Sequence, residues 1–146
     1  LRRQRQMCIR DRGLGDPNYA YSLLKQYKGE WEFDTNWKMI FGHPKKAGWI
    51  KAIQEAQQTV QKGLKLDCPI LVMSSNKSFP ETETWHEEYM TSDIVLDVQD
   101  IQKYGEKLGD KVTRDTIPNG IHDLILSQKP YRNDAYQTIF EWLKKQ

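Results

Sequence analysis

Two short segments with the pattern of β-strands, each ended by polar residues, constrain the fold of this chain most. The apolar run PILVM, residues 69–73, is followed at once by Ser-Ser-Asn, which is typical of a strand buried on both faces, as parallel strands are. Residues 111–117 form a second, less apolar strand candidate that ends at Pro-Asn-Gly. Helical patterns lie before, between and after the two. This alternation predicts an α/β fold with a parallel sheet, although two strands are too few for a complete sheet of this type.

The spacing of apolar residues predicts the helices. The clearest helix runs over 46–62, where apolar positions recur every three or four residues and Gly63 follows as a C-cap. A shorter helix is predicted over 16–27 and another over 98–108. A last amphipathic helix lies near the C-terminus, with Asn133 as its expected N-cap.

The first twelve residues, LRRQRQMCIRDR, differ in charge from the rest. The whole chain carries 22 basic and 20 acidic residues, whereas residues 13–146 hold 17 basic against 19 acidic ones. Residues 2–11 resemble a translation of the transposase adapter used in DNA sequencing libraries. We therefore interpret residues 1–12 as non-native and expect the natural protein to extend upstream. The alternative is a basic arm that binds nucleic acid or an acidic membrane surface.

Length and apolar content limit the class of protein. At 146 residues the chain fits one domain, and no run approaches the ~20 apolar residues of a membrane span. No apolar stretch follows the basic N-terminus, so no signal peptide is expected. The two cysteines make no disulfide framework, and Cys68, just before the first strand, is predicted to be a buried thiol. The prediction is a cytoplasmic protein without an integral membrane segment.

A titratable residue follows each predicted strand. Asp93 comes after the first strand, beyond an insertion, and His122 comes after the second. Ligands and chemistry collect at the carboxyl ends of parallel strands, where a carboxylate can hold an imidazole in one tautomer. Asp97 and Asp100 are alternatives for the acid, but Asp97 equally suits the N-cap of the next helix and Asp100 falls inside it. A lone histidine before an apolar run is also often a packed structural residue.

Four segments carry a resemblance to a known family: PILVMSS, SDIVLDVQDI, IPNGIHDLILSQKPYR and IFEWLKK. In this order they resemble the C-terminal half of an α/β-hydrolase, and more narrowly the serine aminopeptidase-like and monoacylglycerol lipase-like group. YSLLKQYKGEWEF and AGWIKAIQEAQQTV are similar to the cap of a bacterial subgroup and the helix that follows it. The resemblance implies an incomplete α/β-hydrolase fold, with a cap or lid remnant over 13–45 and the C-terminal part of the hydrolase domain over 46–146.

The same resemblance implies roles for two residues. In this family the catalytic acid follows the seventh strand, the histidine follows the eighth, and the chain order is Ser, Asp, His. His122 would then be the general base, and Asp93 the acid that orients it. The implied substrate is a small-molecule or lipid-like carboxylic ester, cleaved through an acyl-serine intermediate. No cofactor, metal or nucleic-acid partner is implied.

The nucleophile that such a histidine serves has no sequence signature here. No G-x-S-x-G occurs, and Ser74 and Ser75 end a strand without the glycines that support a sharp elbow. We expect the serine to be encoded before residue 13 and this chain alone to be inactive. The alternative is a small non-catalytic α/β binding module in which Asp93 and His122 are structural.

Two further features have open interpretations. The aromatic residues Trp31, Phe33, Trp37 and Phe41 would either line an acyl-chain pocket or pack the cap on the core. His86, in the segment WHEEYM, has no second histidine at metal-binding spacing, so metal ligation is not favoured there.

Overall fold

The computed structural model describes residues 17–42, 45–82 and 84–146. The adapter-like segment 1–12, and with it the basic-arm interpretation, lies outside the described residues. The elements are α1 (Pro17–Leu23), α2 (Ala47–Lys62), β1 (Ile70–Ser75), α3 (Val98–Gly105), β2 (Val112–Ile117) and α4 (Lys129–Leu143), with 3₁₀ turns at Glu87–Met90 and Leu124–Leu126. Helices and strands therefore alternate from α2 onward, as predicted.

The two strands pair in parallel, which confirms the predicted arrangement. Their register runs from Ile70 opposite Val112 to Ser75 opposite Ile117, so both strands end at the same edge. Helix α3 connects them and packs on β1. A side chain at Gly105 of α3 would come within 2.8 Å of Val72 Cγ1, so glycine permits this close packing. The described chain is thus a mixed α/β arrangement around a small parallel sheet.

The burial of β1 differs from the prediction. Its apolar residues Ile70–Met73 are only half-buried, whereas the polar Ser74 and Ser75 are buried. Within the described residues the sheet has two strands, so each strand has a neighbouring strand on one side only. The expectation of a strand buried on both faces was therefore wrong. The greatest burial lies at the carboxyl end of the strand, where the acid and histidine loops begin.

Helix α1 is shorter than predicted and ends at Leu23 rather than near Tyr27. The backbone after it pairs with Trp31 instead: Lys25 N–H donates to the Trp31 carbonyl (2.8 Å), and Trp31 N–H donates to the Leu23 carbonyl (2.9 Å). Gly29 makes this reversal possible, because a Cβ there would lie 2.0 Å from the Leu23 carbonyl carbon. Local pairing of the chain with itself overrides helix propensity here.

The other helix ends divide between confirmed and wrong predictions. Helix α2 ends at Lys62, and Gly63 follows with a φ of 101°, which confirms the predicted glycine cap. Helix α4 begins at Lys129, with Gln128 as its N-cap and Pro130 in its first turn. Asn133 therefore lies inside the helix, and its assignment as N-cap was wrong.

The core lies beneath the carboxyl ends of the strands. Tyr89, in the 3₁₀ turn that packs against α1, is fully buried within the insertion between β1 and Asp93. The remaining buried apolar side chains are Ala20, Leu23, Leu24, Met90, Ile94, Val98, Ile117, Ile121 and Ala135. Cys68 is exposed, so its prediction as a buried thiol was wrong; it lies on a surface segment before β1. In the described part of the chain, no helix has the length and apolar character needed to cross a bilayer.

Candidate active site

The loop after β1 folds back to place Asp93 at the end of the sheet. Asp93 N–H donates to the Lys77 carbonyl (3.0 Å), and the Asp93 carbonyl accepts from Phe79 N–H (2.9 Å). These bonds form a parallel bridge between Ser78 and Asp93. The insertion between the strand and the acid is therefore a folded excursion, closed at its base by backbone pairing.

The carboxylate of Asp93 is buried and fully engaged. The residue is 1% exposed. Its Oδ1 accepts from the backbone N–H groups of Val95 and Leu96, both at 2.8 Å. Its Oδ2 lies 2.9 Å from Nδ1 of His122. A buried carboxylate requires such donors, because it has lost its contact with water. The two backbone bonds also fix the direction in which Oδ2 points.

A tight turn after β2 presents His122 to this carboxylate. Asn119 adopts a φ of 59°, a conformation that asparagine tolerates better than most residues. Its N–H donates to Oδ1 of Asn76 (3.1 Å), which ties together the ends of the two strands. At Gly120 an added Cβ would come within 2.7 Å of Leu124 Cδ2 and 3.2 Å of the Ile117 carbonyl oxygen. The Asn-Gly pair therefore explains how the chain turns sharply enough to position the imidazole.

The imidazole of His122 is held on one side and open on the other. The bond to Asp93 places a proton on Nδ1 and leaves Nε2 as the free nitrogen of the neutral ring. Among the described residues Nε2 has no hydrogen-bond partner, and the side chain is 27% exposed. Burial lowers the pKa of His122, but the bond to Asp93 and the charges of Asp93 and Asp123 outweigh it and raise the pKa above its ordinary value, against a small lowering by Lys38.

The two alternative acids do not bond to the histidine. Asp97 is the N-cap of α3, where its Oδ1 accepts from Gln99 N–H (3.0 Å). Asp100 lies in the first turn of α3. Of the three carboxylates considered, the structure brings only Asp93 to His122.

A second carboxylate beside the histidine was missed by the sequence reasoning. Asp123 follows His122 directly, and its Oδ2 accepts from the Tyr19 hydroxyl and lies 3.5 Å from Lys38 Nζ. The Tyr19 ring meets the His122 ring edge-on, with centroids 6.2 Å apart. Burial raises the pKa of Tyr19 well above its usual range, and the hydrogen bond and charge of Asp123 raise it further. The adjacency of Asp123 to the histidine was the only signal available, since Tyr19 and Lys38 are distant in sequence.

No serine in the described part of the chain bonds to His122. Ser74 Oγ donates to the Ser75 carbonyl (2.9 Å) and accepts from Gln102 Nε2 (2.8 Å), while Ser75 Oγ accepts from Lys77 N–H (3.4 Å). Both serines are buried and have structural partners. They do not supply a nucleophile to the imidazole.

The aromatic residues of the predicted cap play different parts. The Trp31 indole N–H donates to the Leu126 carbonyl (2.9 Å), and Arg132 lies over the ring at 4.7 Å, so Trp31 packs the segment on the core. Trp37 is 87% exposed, and Phe41 is also exposed. Packing on the core therefore explains Trp31 but not Trp37 or Phe41.

His86 sits among aromatic rings rather than metal ligands. Its ring lies 5.4 Å from that of Phe79, and its Nε2 is within 3.4 Å of Thr84 Oγ1. Over residues 17–42, 45–82 and 84–146, no three His, Cys, Asp or Glu side chains group in a way that could hold a metal ion.

Comparison with protein-family models, with curated proteins and with solved structures finds no match to this chain.

Proposed function

We propose that this chain is the C-terminal part of an α/β-hydrolase in which His122 is the general base and Asp93 its orienting acid. One observation carries the proposal: a buried carboxylate, braced by two backbone donors, holds Nδ1 of a histidine whose Nε2 is open. Both groups sit at the carboxyl edge of a parallel strand pair, where this kind of chemistry collects.

In the proposed reaction Nε2 of His122 carries the proton, while Nδ1 stays bonded to Asp93. Nε2 takes the proton of a serine hydroxyl as its oxygen attacks the carbonyl carbon of an ester. Asp93 stabilises the imidazolium that forms, and Nε2 then returns the proton to the departing alcohol. A water molecule attacks the acyl-serine by the same route, which releases the acid and restores the serine. This sequence requires no change in the protonation of Asp93.

The serine and the oxyanion donors belong, in this proposal, to a segment that precedes this sequence in a longer parent protein. The support is that no G-x-S-x-G occurs in the sequence and that, in the described part, no serine hydroxyl bonds to His122. Without the serine and the oxyanion donors the chain lacks the groups that supply most of the rate acceleration, so in this proposal it is inactive alone.

A lipid-like or small acyl ester is the proposed substrate. Segment 32–42 lies against the histidine loop, since its Lys38 contacts Asp123, and the same segment exposes Trp37, Met39 and Phe41. Exposed apolar side chains on a segment that contacts the residue after the base suit an acyl chain better than a charged substrate. The parent proposed here is therefore a carboxylic ester or acylglycerol hydrolase.

A fluorophosphonate probe tests the proposal on the parent protein. The parent, expressed from the gene extended upstream, should be labelled at a serine in a G-x-S-x-G elbow, and His122→Ala should abolish the labelling. His86→Ala is the matched control and should leave the labelling unchanged. An extended gene without such a serine, or labelling that survives His122→Ala, would overturn the proposal and favour a non-catalytic binding module.

A further inference from the structure

We propose that Asp123 is a positioning residue for His122, and that Tyr19 and Lys38 hold its carboxylate so that segment 17–42 controls the orientation and charge surroundings of the imidazole. The inference deepens the proposed function, because it takes His122 as the general base. Asp93 fixes the imidazole from the buried side; Asp123 would fix its loop from the solvent side.

The geometry around Asp123 links three parts of the chain. Its backbone begins the 3₁₀ turn, with Leu126 N–H donating to the Asp123 carbonyl (2.7 Å). Its side chain accepts from Tyr19 of α1 and pairs with Lys38 of the following segment. Tyr19 also touches the imidazole itself, edge to face. A movement of Lys38 would therefore pass to the histidine through Asp123, and a movement of Tyr19 would pass both through Asp123 and through the ring contact.

Segment 17–42 also contacts the residues that follow the histidine loop. Trp31 bonds to the Leu126 carbonyl, and Glu30 pairs with Arg132 (3.2 Å) and accepts from Lys129 N–H (3.3 Å). These contacts lie after the loop, whereas those of Asp123 lie at the imidazole. The contacts of Trp31 and Glu30 hold segment 17–42 in place, and the contacts of Asp123 transmit the position of that segment to His122.

Among the residues that the structure describes, four titratable or charged groups face His122, from four separate places. Asp93 comes from the acid loop, Asp123 from the histidine's own loop, Lys38 from segment 32–42 and Tyr19 from α1. The two carboxylates raise the pKa of the imidazole, and Lys38 lowers it. The Tyr19 hydroxyl is uncharged at neutral pH, and burial raises its pKa further above its ordinary value. Removing the charge of Asp123 and removing that of Lys38 should therefore shift the pKa of His122 in opposite directions.

Stability alone does not account for the contact between Lys38 and Asp123. The Lys38 and Asp123 side chains are 47% and 45% exposed, and an ion pair of that exposure contributes little to folding. Lys38 also lies over the rings of Tyr19 (5.7 Å) and Phe33 (5.6 Å), so its ammonium is kept above the ring that touches His122. The arrangement orders a half-exposed surface next to the base.

The test is an NMR titration of the histidines in the full 146-residue chain. Asp123→Asn should lower the pKa of His122, and Lys38→Met should raise it. Tyr19→Phe keeps every charge but should broaden the Nδ1 proton signal of His122 by loosening the loop. The titration of His86 is the internal reference, and Asp134→Asn, an exposed change on α4, should leave His122 unchanged.

Separate outcomes judge this inference and the proposed function. A His122 pKa that is unmoved by Asp123→Asn and Lys38→Met, or moved in the same direction by both, overturns the positioning role. If the Asp123→Asn variant fails to fold, the exposed Lys38→Met change is the test: a raised pKa of His122 supports the inference, and an unchanged or lowered one overturns it. In the parent, Tyr19→Phe should lower kcat roughly tenfold with little change in KM. A parent that the fluorophosphonate probe does not label refutes the hydrolase but leaves the titration result standing.

Discussion

Two carboxylates flank His122, and they are built in opposite ways. Asp93 is 1% exposed and takes two backbone donors from residues just after it in the chain. Asp123 is half-exposed and takes its donors from Tyr19 and Lys38, far away in sequence. The buried carboxylate is held by its own loop and the exposed one by a different segment. Asp93 can therefore hold the imidazole in one orientation, whereas the position of Asp123 depends on where segment 17–42 lies.

Replacing each carboxylate in turn should produce the largest difference between them. Asp93→Ala leaves two backbone N–H groups and Nδ1 of His122 without their acceptor, so we expect a loss of about 3 kcal/mol in the free energy of unfolding. Asp123→Ala removes a half-exposed partner of Lys38 and the acceptor of the Tyr19 hydroxyl, so it should cost less, about 1–2 kcal/mol. Urea denaturation at pH 7 measures both, and equal losses would contradict the contrast between them.

Activity of the parent should separate the two carboxylates further. Asp93→Asn should lower kcat by about 10⁴-fold, because the imidazole loses the partner that fixes its tautomer. Asp97→Asn is the matched control on the neighbouring helix cap and should leave kcat unchanged, since Asp97 bonds to Gln99. A large loss in the control instead would transfer the acid role to Asp97.

The turn that presents His122 can be broken without touching either carboxylate. Gly120→Ala would press a methyl group against Leu124 and the Ile117 carbonyl, at an expected cost of about 1–3 kcal/mol. Gly48→Ala, in the first turn of α2, meets nothing within 4 Å and should stabilise the chain by about 0.5–1 kcal/mol. Thermal unfolding of the two variants gives the comparison, and a stable Gly120→Ala variant would show that the turn adapts.

These contrasts also separate what the sequence could predict from what it could not. Features set by neighbours in the chain were predictable: the parallel strand pair, the glycine that ends α2 and the helix cap at Asp97. The order of acid and histidine after successive strands likewise placed Asp93 and His122 at one edge. In each case the physics acts over a few residues or through the pattern of alternating elements.

Predictions that depended on distant parts of the chain were wrong or absent. The length of α1 was overestimated because Trp31 pairs with its end. The burial of Ile70–Met73 and of Cys68 was overestimated because burial depends on which elements cover a surface. Tyr19 and Lys38 were missed beside the histidine, since nothing local ties them to residue 122.

The pH dependence of stability should follow the raised pKa of His122. Protonation of a group whose pKa is higher in the folded state favours folding, so this contribution is fully present below the ordinary value of about 6.5 and is lost as the pH rises through the folded pKa. The difference in unfolding free energy between the unaltered chain and His122→Gln should therefore shrink between pH 5.5 and 8.5. His86→Gln serves as the control. The activity of the parent should instead increase as the pH rises through the pKa of His122, because the general base must be neutral to accept a proton.

The smallest effect is expected one residue away from the largest. Ser92 is 1% exposed, and its hydroxyl has no hydrogen-bond partner within the described residues, although it adjoins the fully bonded Asp93. Replacing an unpaired buried hydroxyl removes a polar group that burial penalises, so Ser92→Ala should be neutral or stabilise the chain by up to about 1 kcal/mol. Urea denaturation beside Asp93→Ala measures it. A loss above about 1 kcal/mol would mean that the Ser92 hydroxyl has a partner and belongs, like Asp93, to the bonded acid loop.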